Sequence, residues 1–444
     1  MDKDKRYQQQ IFECHDFIED NLYFNRPDLA VKERRFNSAL LFGLLTVLNM
    51  GKQLIMGEPG LGKTTSAEYI CSLLYQVPIG TVWGSEVSGH PEQTEEKIIG
   101  RPDLGELNRG NEEVVWSYFA QLPVKIVDEI NRLPETKQSV ILDGVDRGNW
   151  EYLNEMIINE EYSLFATANY QDMGTNSIIA PMVDRFDVIV ESRHPGPNIA
   201  FLIGQKDAKE NLLRHPVYEQ AIKEVLGSKI PHEEKMERFD AICNHFGRFL
   251  FEKSGIKPLT RADRLSIKSE IQNMSFDLDS NAFIRMILSE LSYCYAYGQK
   301  RSVEVCEEGC HYTGYMCYNV QNCASNRLPS SIKNYCQALA WLLGDEAVDL
   351  EHVRTIVPYT IAHRIQWKEE YLAQREMSIR NDPLQIHLGK EATKAIYHRY
   401  VEQSDHLKHA LSVGNRCFNG EELEAVEGDH PIYAEIKKDM ESAL

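Results

Sequence analysis

The sequence predicts an α/β domain with a mostly parallel sheet, followed by an all-helical region. Three observations carry this. Strand candidates fall at 52–56, 78–83, 124–128, 162–168 and 186–191, with helical stretches between them. Strands alternating with helices give a parallel sheet, here five-stranded, covered on both faces. A glycine-rich loop, Gly57-Glu58-Pro59-Gly60-Leu61-Gly62-Lys63-Thr64, separates the first strand from a helical pattern. Beyond Pro195-Gly196-Pro197 no further strand is convincing.

The elements follow in order. Residues 1–35 are polar and predicted helical, and 36–50 form a buried helix leading into the first strand. Thr65–Tyr75 has helical apolar spacing at Ala67, Ile70, Leu73 and Leu74. Glycine and charge are frequent over 84–111, which suggests a loop or hairpin insertion. Lys125 interrupts the apolar run Val124–Val127, so one face of that strand is expected to be less buried. Residues 198–305 read as amphipathic helices with turns near Gly227-Ser228 and Gly255–Pro258. Helices resume at 330–343 and 350–378, and Asp382-Pro383 opens an acidic helical tail. The expected plan is a helical segment 1–35, an α/β domain 36–195, a helical insertion or linker 196–260, an all-α domain 261–380 and a tail 381–444.

The chain has 444 residues, enough for two or three domains with real cores. Charged residues make up 26% and hydrophobic ones 43%, as in soluble globular proteins. A formal charge of −19 repels nucleic acid and anionic membranes on average, so no nucleic-acid partner is expected. Met1–Arg6 is not followed by an apolar core and is read as no signal peptide. Apolar runs such as Ala39–Leu48 are too short for membrane insertion. A cytoplasmic location is expected, with the ten cysteines as thiols or metal ligands.

Residues 57–64 match G-x-x-x-x-G-K-[ST] in full. Glycines let successive N–H groups curl around phosphate oxygens. Lys63 can reach the β- and γ-phosphates, and the Thr64 hydroxyl can ligate Mg²⁺. The following helix adds its N-terminal dipole. Gly57, Glu58, Pro59, Gly60, Leu61, Gly62, Lys63, Thr64 and Thr65 are therefore the candidate nucleotide-binding residues, with ATP and Mg²⁺ as expected cofactors. The run Val124–Asp128 ends in two carboxylates, Asp128 and Glu129. Alone these would read as a solvated strand end. After a phosphate loop, Asp128 becomes a Mg²⁺ ligand through water and Glu129 a general base.

The wider pattern resembles the AAA+ ATPases, and within them the MoxR family. Gly57–Thr64 is similar to the family's Gly-x-Pro-Gly-x-Gly-Lys-Thr, and Asp128-Glu129-Ile130-Asn131-Arg132 matches its Asp-Glu-Ile-Asn-Arg. Phe165-Ala166-Thr167-Ala168-Asn169 resembles its Ala-Thr-x-Asn strand end, and Asp184-Arg185-Phe186 its Asp-Arg-Phe. The resemblance implies that Asn169 is the sensor orienting the attacking water. It implies that Arg185 is an arginine finger reaching the γ-phosphate of a neighbouring subunit in a ring, expected to be a hexamer. Ser325-Asn326-Arg327 resembles the start of the lid helix, whose arginine contacts phosphate, although the family has Pro where Asn326 stands. The implied function is ATP hydrolysis that remodels, activates or metal-loads a client, with a von Willebrand factor A-domain protein as partner. Two alternatives stay open: the ATPase subunit of a metal-chelatase-like complex, and an ATP-gated assembly scaffold with little turnover.

Cys306, Cys310, Cys317 and Cys323 lie close together with His311 among them. They could bind Zn²⁺, although the spacing lacks paired C-x2-C knuckles; the other reading is partly buried thiols. Charges at Glu421, Glu422, Glu424, Glu427 and Asp429 mark the tail as solvated, or as a docking segment for the partner.

Overall fold

The computed structural model describes residues 6–170, 178–205, 209–294, 298–299, 313–376, 382–418 and 426–443. The chain divides into two units: Met1–Asn273 with Leu342–Gly344, and Met274–Trp341 with Asp345–Leu444.

The first unit opens with helix α1 (Arg6–Asn21) and a short antiparallel hairpin, Leu29–Val31 with Arg34–Phe36. Helix α2 (Ser38–Asn49) is capped by Asn37, whose side chain accepts from the Leu40 N–H. It is apolar nearly all round and buried throughout Ser38–Leu48, as such a helix must be. Strand β1 (Lys52–Met56) follows, then the phosphate loop and helix α3 (Lys63–Tyr75).

The sheet has five parallel strands. Those after β1 are β2 (Val87–Ser88), β3 (Val124–Asp128), β4 (Ser163–Ala168) and β5 (Val188–Glu191), in the order β5-β1-β4-β3-β2. Register pairs Leu54 with Ala166 and Ile189, Ile126 with Phe165, and Ser88 with Asp128. All strands point the same way, so Met56, Asp128 and Ala168 end at one edge. Ligands of open α/β sheets bind at that edge.

One strand expectation is overturned. Residues 78–83 are not a strand: helix α4 (Ile79–Ser85) starts after Pro78, and the edge strand is the two-residue β2. Pro at the N-cap fixes a helix start, and this outweighs the β-branched Ile79, Thr81 and Val82. After β2, residues 89–116 form an insertion with an antiparallel hairpin, Gly100–Pro102 with Val114–Trp116. Helix α5 (Glu135–Arg147) follows β3. A second hairpin, Asn149–Tyr152 with Glu155–Ile158, turns on Leu153 and Asn154, both at positive φ as a two-residue hairpin turn requires. Helices α6 (Pro216–Leu226), α7 (His232–Ser254) and α8 (Arg261–Gln272) complete the unit.

Lys125 does not leave a strand face exposed. It is fully buried, and its ammonium donates to the carbonyls of Phe119 (2.5 Å), Ala120 (3.2 Å) and Leu122 (3.2 Å). The rings of Phe119, Trp150 and Tyr162 surround it at 5.3, 4.8 and 5.2 Å. Carbonyls at a helix C-terminus and aromatic faces both favour a cation, while burial holds the amine well below the usual lysine range.

The second unit is helical: α9 (Leu278–Ser292), α10 (Arg327–Leu343), α11 (Leu350–Ile361), α12 (Leu384–Phe418) and α13 (Pro431–Ala443). Its described strands are two-residue ladders, such as Ser275–Phe276 with Ala347–Val348. Residues 384–418 and 431–443 do not trail from this unit. Helix α12 packs on α9 and α11, and α13 packs on α12 and α9. The acidic run Glu421–Glu424 lies outside the described residues.

Candidate active site

The site begins with strand order. Strand β4 lies between β1 and β3, so the residue after β4 projects between the phosphate loop after β1 and the carboxylates after β3. That residue is Asn169, and it is buried. Its Oδ1 accepts from Lys63 Nζ at 2.6 Å, while its Nδ2 donates to Glu129 Oε1 at 2.6 Å. The ammonium of Lys63 also donates to the loop carbonyls of Gly57 and Glu58, both at 2.9 Å.

A second line runs beside the first. Thr64 Oγ1 donates to Asp128 Oδ1 at 2.5 Å, and Thr167 Oγ1 donates to the same oxygen at 2.7 Å. Thr167 Oγ1 also accepts from the Glu129 N–H at 2.8 Å. The threonine thus fixes the backbone at the junction of the two carboxylates. Glu129 sits at φ 50°, ψ 51°, a left-handed conformation that costs a non-glycine residue about 1–3 kcal/mol at such sites. Gly89 makes room for it. A Cβ there would stand 2.0 Å from Glu129 O, and the Gly89 N–H donates to Asp128 O at 2.6 Å.

Glycine is equally required at Gly57, which has φ +151° and where a Cβ would meet Ser192 O at 2.6 Å. Ser192 donates to Leu61 O (2.7 Å) and contacts the Tyr23 hydroxyl (2.9 Å). The N-terminal segment and the end of β5 therefore brace the loop. Glu58, Pro59 and Gly60 at its crest are exposed, while Thr65 is half-buried in the first turn of α3.

Charge around Asp128 is negative. Burial first, then the charges of Glu68 and Asp128, push the Glu86 carboxyl up to about 8. Burial also raises Glu68, which accepts from Trp83 and meets Glu86. Asp128 therefore has an acid pair beside it that holds a proton more tightly than ordinary carboxyls do.

The loop with Lys63 fits a nucleotide triphosphate: glycine backbone at the crest, a buried ammonium, and a helix N-terminus. Thr64 and Asp128 fit Mg²⁺, since a hydroxyl and a carboxylate already face one another. Arg185 is elsewhere on the unit. It pairs with Asp146 of α5 through two bonds (Nε–Oδ1 3.0 Å, Nη2–Oδ2 3.1 Å) and donates to Pro181 O. Arg327 opens α10 of the second unit, with its N–H on Ser325 Oγ (3.3 Å).

Cys306, Cys310 and His311 lie outside the described residues. Cys317 is buried, and the Cys323 thiol donates to the carbonyls of Ser292 (3.1 Å) and Ala324 (3.3 Å). The described thiols lend no support to zinc.

Three site residues carry no role in the sequence reading. Thr167 stands two residues before Asn169, hence on the same strand face. Glu68 stands four residues after Thr64, on the same helix face. Arg132 is legible only as part of a motif; it closes the 3-10 turn Ile130–Arg132, and its Nη1 lies 2.9 Å from Glu129 Oε2.

Fold and site together define a phosphate-loop nucleotide hydrolase. Residues 52–186 match the model of the AAA domain, dynein-related subfamily, and residues 322–385 match that of the AAA lid domain. The chain thus carries an AAA domain and its lid, and is an ATP hydrolase by class. Among solved structures it is similar to one described as "a putative ATPase from Cytophaga hutchinsonii ATCC 33406". That match has a TM-score of 0.57 at 16% identity over 89% of this chain and 96% of the other, a likeness of fold. No curated protein sequence matches. Among the described residues no helix is long and apolar enough to cross a membrane.

Proposed function

We propose that the chain is a MoxR-type ATPase of the cytoplasm. It works as a ring, expected to be hexameric, and spends ATP on remodelling, activating or metal-loading a client with a von Willebrand factor A-domain partner. The observation that carries the catalytic part is the continuous line Lys63–Asn169–Glu129 beside Thr64–Asp128–Thr167.

Lys63 would leave the loop carbonyls and Asn169 for the β- and γ-phosphates. Mg²⁺, held by Thr64 and Asp128, would neutralise phosphate charge when bound. Asn169 would then turn its amide to the attacking water, and Glu129 would take the water's proton. The water oxygen bonds the γ-phosphorus, the β–γ bridging bond breaks, and its electron pair leaves on ADP. Arg185 is held flat and bidentate by Asp146, the geometry in which a guanidinium meets two oxygens. In a ring it would exchange Asp146 for the γ-phosphate of the next subunit.

One observation favours low turnover in the isolated chain, and so the scaffold alternative: both oxygens of Glu129 already carry donors, Asn169 and Arg132.

Subunit mixing tests the ring reading. Arg185→Ala and Glu129→Gln chains are each expected to be inactive alone. Mixed, some interfaces join an intact Glu129 to an intact Arg185, and partial hydrolysis should return. Co-assembly shown by size with no recovery argues against Arg185 acting in trans.

A further inference from the structure

A cleft opens in the first unit at the edge of the sheet opposite the phosphate loop. On its wall Pro123 directly precedes β3, Glu161 stands two residues before β4 and Met50 two before β1. Its volume is about 420 Å³, within the range of small-ligand sites. Helix α7 supplies Glu233, Glu237 and Asp240, and in all five carboxylates and two guanidiniums line the cleft. Burial holds His232 below the usual histidine range, so it adds no charge at neutral pH.

Both guanidiniums are engaged. Arg261 meets Glu161 through two bonds, of 2.7 and 2.8 Å. Arg264 is buried over the Tyr75 ring at 4.7 Å and donates to the carbonyls of Leu74 and Leu259. The acids are less well matched. Glu233 and Glu237 are exposed and make no ion pair among the described residues. Asp240 has only Arg261, at 3.6 Å, and burial raises its carboxyl above the usual range. Charge by itself would read as a solvated rim. Two amides add a different observation. Gln121 lines the cleft at 1% exposure; its Nε2 donates to Trp116 O at 3.0 Å and Ser117 O at 3.4 Å, and its Oε1 has no donor. Asn159 Nδ2 is likewise anchored on the carbonyls of Ala120, Gln121 and Leu122, at 3.1, 3.0 and 3.0 Å, and its Oδ1 accepts nothing among the described residues. An amide with its nitrogen anchored presents only its oxygen to a newcomer. A buried acceptor without a donor is costly, and a donor entering the cleft removes that cost. Arg264 Nε is a donor without an acceptor, but one N–H against five carboxylates makes no anion site.

Acceptors and negative charge are the complement of an ammonium, which has three donors and no acceptor. We infer that the cleft binds an alkylammonium group, accepted by Asp240, Gln121 Oε1 and Asn159 Oδ1, with Glu233 and Glu237 drawing it in. The group comes from a free polyamine or from a lysine side chain of a protein client.

Calorimetric titration of the full chain with spermidine, without nucleotide and at about 0.15 M salt to screen the overall charge, tests this. One site per chain is expected. Asp240→Asn should weaken it about tenfold or more, as for loss of a hydrogen bond to a charged group, and Glu233→Gln with Glu237→Gln a few-fold. Glu402→Gln with Asp405→Asn removes two charges from α12 and should change nothing. Competition by an end-blocked lysine peptide assigns the site to a client side chain; spermidine binding without that competition assigns it to a free polyamine. Equal weakening in the α12 pair, or wild-type affinity in Asp240→Asn at an unchanged melting temperature, overturns the inference. Should Asp240→Asn melt early, the exposed Glu233 and Glu237 pair must show the loss, and wild-type affinity there overturns it instead. Inorganic phosphate binding where spermidine does not would overturn it too.

Discussion

Glu129→Gln is expected to bind ATP as tightly as the wild type while its turnover falls about 10²–10⁴-fold, the range for losing a positioned general base. The geometry supports the separation. Lys63, Thr64 and the loop meet phosphate in the ground state, whereas the Glu129 carboxylate meets Asn169 and Arg132 among the described residues. Glutamine keeps the shape, an acceptor for one donor and the backbone at φ 50°; it lacks a basic oxygen. Nucleotide titration and phosphate release measured on the same preparation check this. Loss of binding in parallel with turnover would show that Glu129 shapes the pocket rather than serving the water.

Removing residues 381–444 is expected to unfold the second unit. Helix α12 buries Leu388, Ala392, Ile396 and Tyr400 as a stripe at four-residue spacing, then Leu407, Ala410 and Val413 beyond a kink at Gln403. Leu388, Ile396, Tyr400 and Leu407 at about 1.5–3 kcal/mol each already approach the roughly 5–15 kcal/mol that holds a domain together. Polar anchors follow the same path. Arg399 pairs with the fully buried Glu290 (Nε–Oε1 2.9 Å), His430 reaches it at 3.2 Å, and Tyr400 and Lys408 meet Asp279. Burial alone would raise the Glu290 carboxyl, but His430 and Arg399 pull it below the usual glutamate range. Its contribution is therefore present above that range and lost as pH falls through the folded value. Circular dichroism of chain 1–380 should lose more helix than the deleted segment contains, and the second unit should become open to protease. A truncated chain melting like the full one would show that α12 is dispensable. Partner docking on this segment must accordingly be sought with point changes at exposed charges such as Glu402 and Asp405.

The site was legible where its chemistry is contiguous in sequence. Gly57–Thr64 and Asp128-Glu129 announce themselves because a loop that wraps phosphate needs its glycines and lysine side by side. What sequence reading missed depends on packing. The interruption of a strand by Lys125 suggested exposure, but the pocket of carbonyls and rings comes from Phe119, Trp150 and Tyr162, which only the fold assembles. Residues 78–83 have strand composition, yet Pro78 sets a helix start. The charges near the C-terminus give the segment the composition of a solvated tail, yet the apolar stripe of α12 has the 3.6-residue period of a core helix.

Hydrolysis of ATP at the Lys63–Glu129 site is tested most directly by Mg²⁺-dependent phosphate release from the purified full chain, with Lys63→Ala beside it. The predicted result is sustained multiple turnover in the wild type that stops with a chelator, and loss of both nucleotide affinity and turnover in Lys63→Ala. Tight ATP binding with no more than a single phosphate released per chain, or Lys63→Ala turning over at the wild-type rate, would contradict it.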